Sequence, residues 1–155
     1  MAVNSIRERI IQRIVSILAP VATVNAATVW RTPSVAITRE QCPALVVFAE
    51  SESISDRAND RVTRALTVRI TALTRSVPPE MGESLAETLA DTLLCAAHAA
   101  LMLDTNLGGL GGLAMGIREI ESEWEVDDAD AAACSTSARY QITYRSLIAD
   151  ISIQA

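Results

Sequence analysis

The chain of 155 residues has no lysine; all 13 of its basic side chains are arginine. That removes P-loop phosphate chemistry and every Schiff-base or lysine-nucleophile mechanism. There is one histidine, His98, so a Ser/His/Asp or Cys/His mechanism would have to pass through it, and there is no G-x-S-x-G elbow to supply a nucleophile. The three cysteines, Cys42, Cys95 and Cys134, are odd in number and form neither a C-x-x-C pair nor a zinc pattern. They read as buried free thiols of a protein in a reducing cytoplasm. The net charge is -6, which leaves no basic stripe to release counterions from nucleic acid. Arg7, Glu8 and Arg9 fall where a signal peptide needs its apolar region, and the longest uncharged run, residues 14–30, is broken by Pro20 and Asn25. That run falls short of the roughly 20 apolar residues of a membrane span, so neither export by that route nor a membrane partner is expected.

What the chain does have is apolar material. Half of it is hydrophobic, enough at this length for one domain over residues 1–155 that buries roughly 70% of its unfolded surface without a staple. Ser5 followed by Glu8 is a capping-box signature, and Ile6, Ile10, Ile14 and Ile17 recur at helical spacing, which predicts a helix over 5–18 stopped by Pro20. Residues 21–24 and 27–31, carrying Trp30, read as extended, and a short strand follows over 44–49. Leu66, Val68, Ile70 and Ala72 alternate with Thr67, Arg69 and Thr71, the pattern of a strand with one buried face. The intervening residues 50–61 read as a long connection, either a solvated hairpin tip or a partner contact. After Pro78 and Pro79, apolar positions at Leu85, Leu89, Leu93, Ala96, Ala97 and Ala100 predict a second helix over 80–102. Its acids Glu80, Glu83, Glu87 and Asp91 lie in the N-terminal half, where they favour the helix dipole. Two further strands, 117–126 and 137–148, complete an α+β domain in which a largely antiparallel sheet packs against two helices.

Gly109-x-Gly111-x-x-Ala114 matches a degenerate dinucleotide fingerprint, but these glycines leave a helix and enter a strand, the reverse of the order a phosphate cradle needs. They read as a C-cap and a flexible turn. His98, with Leu94 and Leu101 a turn away on either side, reads as a packed or partly buried histidine. The unusual feature is Glu119, Glu121, Glu123 and Glu125 at period two, followed by Asp127, Asp128 and Asp130. On a regular strand the four glutamates share one face and Ile120, Ser122, Trp124 and Val126 the other. Three readings stand: a charged edge strand that resists unwanted pairing, a hard-cation site, or a field made by repeating the row around an assembly.

Read in order, eight segments carry a likeness. They are Ser5-Ile-Arg-Glu-Arg-Ile-Ile-Gln-Arg, Val29-Trp-Arg, Pro43-Ala-Leu-Val-Val, Leu66-Thr-Val-Arg-Ile, Leu89-Ala-Asp-Thr-Leu-Leu, Leu113-Ala-Met-Gly-Ile, Trp124-Glu and Arg139-Tyr-Gln-Ile-Thr-Tyr-Arg. Together they resemble the tail terminator proteins, also called minor tail or tail completion proteins, of long-tailed bacteriophages and prophages. The resemblance implies a structural protein of the virion and no enzyme, with no catalytic residues, metal or cofactor. It further implies a homohexameric ring at the head-proximal end of the tail that stops polymerisation of the tail tube protein and offers a surface to the head connector or neck proteins. Assembly would take place in the host bacterial cytoplasm. Six copies of a -6 chain carry a formal -36, so DNA would pass the ring without specific binding.

On this reading the residues of the lumen or the ring contacts come from Glu119, Glu121, Glu123, Glu125, Asp127 and Asp128, or from the 50–60 loop. Reversing the charge of Glu121 and Glu123 is expected to impair assembly or DNA ejection. Trp124 and Trp30 are candidate interface anchors or core residues, and Arg7, Arg9 and Arg13 could meet a neighbour's acids or form a solvated helix face. The alternatives are a head-tail joining or neck ring protein and, more distantly, a small ligand- or cation-binding domain.

Overall fold

The computed structural model describes residues 4–78, 85–126 and 132–155. Its elements run α1 (Ile6–Val24), β1 (Thr28–Arg31), β2 (Ala44–Ala58), β3 (Arg61–Arg75), α2 (Ala86–Met102), β4 (Gly116–Val126) and β5 (Ala133–Leu147). The five strands form one sheet in the order β1-β2-β3-β5-β4, antiparallel except for the β1–β2 pair. Both helices lie on one face, α1 over β1 and β2 and α2 over β3 and β5, so the α+β expectation holds. No helix among the described residues is long and apolar enough to cross a membrane.

The core lies between that face and the helices. Ile6, Ile10, Ile14 and Leu18 of α1 meet Leu45, Val47, Leu66, Val68 and Ile70 of the sheet, while Ala90, Leu93, Ala97 and Leu101 of α2 cover Tyr140, Ile142 and their neighbours. The alanines of α2 are the small surface that lets it sit close to the sheet and to α1.

Several boundaries differ from expectation. Pro20 does not stop α1, which runs on to Val24, so residues 21–24 are helical rather than extended. Proline removes one donor to the carbonyl of Ser16, and both residues are exposed, so the freed acceptor is on the solvent side and costs little. Burial of Ala22 and packing of Val21 against the core hold the last turn. The Ser5 hydroxyl accepts from the Glu8 amide at 3.2 Å as a cap should. The Glu8 carboxylate does not return the bond; it accepts from Arg31 and Gln12.

Residues 50–61 are not a long connection. β2 continues to Ala58, pairs with β3 throughout, and turns over Asn59 and Asp60, with Asn59 in the left-handed region at φ 56°. The distal half of β2 is exposed on both faces, so no hydrophobic alternation betrays it; its backbone ladder to β3 makes it a strand. The helical part of α2 begins at Ala86; residues 79–84, with Pro79, Glu80 and Glu83, lie outside the described residues.

The glycine segment does join α2 to β4, although the C-cap itself is Leu103 and the glycines follow later. Asp104 organises the turn by accepting from the amides of Gly108 and Gly109 at 2.7 and 3.2 Å, which holds its carboxyl below the usual range. Gly112 is tied by contact rather than by its dihedral: a Cβ there would collide with the backbone carbonyl of Asn106. Gly112→Ala should therefore cost about 1–3 kcal/mol, read as a lowered midpoint in thermal unfolding, whereas Gly116→Ala, with open space around it, should not. Of the thiols only Cys134 is buried; Cys42 is half-buried and Cys95 exposed, which corrects the expectation for those two.

Candidate assembly surface

The sheet face turned away from the helices carries a charged row across four strands. Cross-strand register puts Phe48 opposite Arg69, Arg69 opposite Arg139 and Arg139 opposite Glu121. Two arginines facing each other would repel. Glu50, bulged out of the β2 ladder, resolves this: one carboxylate oxygen lies 3.0 Å from Arg69 Nε and the other accepts from Arg139 Nε at 2.9 Å. Arg139 also donates to Glu121 and lies 3.5 Å from Glu123, and Arg69 stacks over Phe48 with its guanidinium 4.8 Å from the ring centre.

The acidic row of β4 is therefore neither a single face nor a free field. A β-bulge at Ile120 makes Glu119 the partner of Tyr140 and Glu121 the partner of Arg139, adjacent residues on opposite faces of β5. Glu121, Glu123 and Glu125 share the outer face; Glu119 lies on the helical side. This corrects the expectation that all four share one face, because the extra residue shifts parity where the sequence keeps its period of two. On the helical side His98 Nδ1 is 3.0 Å from the Tyr140 hydroxyl and 3.6 Å from Glu119. Burial pushes the Tyr140 phenol well up, so it stays a neutral hydrogen-bonding group. Asp127, Asp128 and Asp130 lie outside the described residues. Among the described residues no three His, Cys, Asp or Glu side chains converge as metal ligands would.

The α1 arginines already have partners within the chain. Arg7 lies 3.7 Å from Glu52, Arg9 donates to the Ser152 carbonyl at 2.9 Å, and Arg13 lies 3.5 Å from Asp104. Arg7 and Arg13 remain about half exposed at these separations, as loosely held surface pairs do. Glu52 is the better-tied acid: it takes hydrogen bonds from Arg64, at 3.1 Å, and from Tyr144.

Trp124 is not a core residue; 71% of its surface is exposed, on the edge strand β4. Trp30, on β1, is half-buried, and its indole N–H is buried without a bonding partner among the described residues. Opposite Thr136 in the register, Trp124 lies on the helical side of β4, whereas on the outer side the sheet sinks into a groove of about 820 Å³. Its origin is topological. β1 and β2 are parallel neighbours, so the chain between them must cross one face of the sheet, and residues 33–37 cross the outer one. That crossing forms one wall and β4 the other, over a floor that includes Phe48, Thr71 and Leu73.

Sequence reasoning reached Glu50 only as part of the 50–60 candidate loop and missed Arg69, Thr71 and Arg139 as parts of this surface. Only the alternation of β3 and β5, which places Arg69, Thr71 and Arg139 off the buried face, could have pointed to them.

No protein-family model matches the sequence, and no curated protein is similar to it. Among solved structures, a chain in the virion of a native gene transfer agent particle has a similar fold, with a TM-score of 0.53 and 13% identity over 92% of this chain and 92% of that one.

Proposed function

We propose that this protein is a structural component of a phage-like virion and, within it, the tail terminator. In this reading six copies form a ring on the head-proximal end of the finished tail tube, end the polymerisation of the tube protein and present a surface to the head connector or neck proteins. The observation that carries the reading is the likeness in fold, over nine-tenths of both chains, to a component of a gene transfer agent virion. The order of the sequence motifs narrows it to the terminator.

The surfaces fit such a role. Both helices are spent on one face of the sheet, which leaves much of the other face, beyond the crossing of residues 33–37, and the β4 edge open, as a subunit that works by contact needs. The protein acts in this account by position rather than by catalysis and takes no cofactor. DNA passes a ring of net negative charge without being held by its phosphates. A head-tail joining ring protein is the second reading, supported by the same likeness in fold.

Immunogold labelling of purified particles tests the location. The reading expects the protein in the particles, with label confined to one site at the junction of head and tail. Label along the tail, or particles without the protein, would overturn it.

A further inference from the structure

We propose that the free edge of β4 takes up a strand of a different protein, one that alternates arginine or lysine with aliphatic residues. The partner's setting rests on the virion reading above; the chemistry of the edge is this chain's own.

β4 ends the sheet. Among the described residues its only backbone partner is β5, and over residues 121–126 the ladder between them runs without a bulge. Every second residue of that stretch therefore turns its N–H and C=O to the open side. An extended segment laid along the edge, about 4.8 Å away, satisfies those groups, so main-chain bonds supply affinity and the two rows of side chains supply selectivity.

The two faces of the stretch call for different residues. On the outer face Glu121, Glu123 and Glu125 stand opposite Arg139, Ser137 and Ser135. Arg139 donates to Glu121 and lies 3.5 Å from Glu123, while Glu125 meets no cation among the described residues. An added strand sets its own outward side chains directly beside these carboxylates, where opposite charge stabilises and like charge does not. On the helical side Ser122 and Trp124 stand opposite Ala138 and Thr136, in line with the buried Tyr140. Because α2 lies over β3 and β5, it leaves Trp124 71% exposed. The open indole offers an apolar surface to an aliphatic side chain of the incoming strand. Cations on one face and aliphatic residues on the other are what the edge selects.

The chain's own open edges do not match this pattern. A second β4 would set glutamates against glutamates, and the distal arm of β2 turns Glu50 and Asp56 to the outer face. β1 turns Thr28 and Trp30 outward, and its one cation, Arg31, is on the helical side and bound to Glu8. The occupant is therefore another protein.

The test titrates the full-length protein with acetyl-Arg-Val-Arg-Leu-Arg-Val-amide and with its counterpart carrying glutamate for arginine, followed by NMR. The basic peptide should give saturable shifts along residues 121–125 and at the Trp124 indole, slow amide exchange at alternate residues there, and bind about tenfold more tightly than the acidic one. Because an added strand turns only every second N–H toward β4, methylating the arginine nitrogens or the aliphatic ones should abolish binding in one case and spare it in the other. Trp124→Ala and Glu125→Gln, both at exposed side chains, should each weaken the basic peptide several-fold. Equal binding of basic and acidic peptides, an equal effect of the two methylations, shifts away from β4, or no saturable shift would overturn the proposal. None of these results bears on where the protein sits in a particle, so a failed edge and a failed terminator reading are separately visible.

Discussion

Tyr140→Ala should destabilise the protein by about 3–5 kcal/mol, the usual cost of deleting a buried aromatic ring, and leave it largely unfolded near physiological temperature. Tyr140 is 1% exposed, stands on β5 in the middle of the covered face, and is the large side chain against which α2 packs. Its hydroxyl is a smaller contribution. In Tyr140→Phe only the bond to His98 is lost, and because His98 is partly exposed water can replace the partner, so about 1 kcal/mol is expected. Chemical denaturation of both variants checks the pair of values. A similar loss for the two would mean that the hydrogen bond, and not the packing, anchors α2.

Arg139→Glu should release β4 from the sheet. Beyond the contact of Glu119 with His98 and the packing of Ile117 against the core, β4 is held by its ladder to β5 and by this guanidinium, which gathers Glu50, Glu121 and Glu123. Reversal would leave four carboxylates around Arg69 alone. Amide exchange in β4 should accelerate strongly while β3, paired on both sides, stays protected, and high salt should restore part of the loss by screening the repulsion. Unchanged protection in β4 would show that backbone pairing suffices there. The same geometry alters the meaning of reversing Glu121 and Glu123. Both meet Arg139, so a defect in assembly would report on β4 as much as on a negative lumen, and Glu125 is the cleaner position for testing charge.

What was legible in the sequence is what has one wet and one dry side. β5 alternates between buried and less buried residues along almost its whole length, and β3 does so from Leu66 to Ile70, because a helix covers one face of each. The helical spacing of α1 and α2 was visible for the same reason. The distal arm of β2 has two wet sides and carries serines and acids that read as loop, so only its partner strand could reveal it. Pro20 misled because a proline on the solvent side of a helix costs less than one inside. The glutamates were visible as a cluster, but their geometry was not: a bulge leaves no mark in a sequence that keeps its period, and the arginine that holds Glu121 and Glu123, Arg139, stands on the next strand, β5. The groove depends on which face a connection crosses, which follows from the parallel pairing of β1 and β2 rather than from any local motif.

The claim that the protein ends tail growth is tested most directly by the distribution of tail lengths, measured by negative-stain electron microscopy in lysates from which the gene has been deleted. The account predicts overlong, uncapped tubes and heads without tails. Tails of normal length beside unattached heads would contradict it in favour of a neck protein, and intact particles would contradict any essential role in the virion.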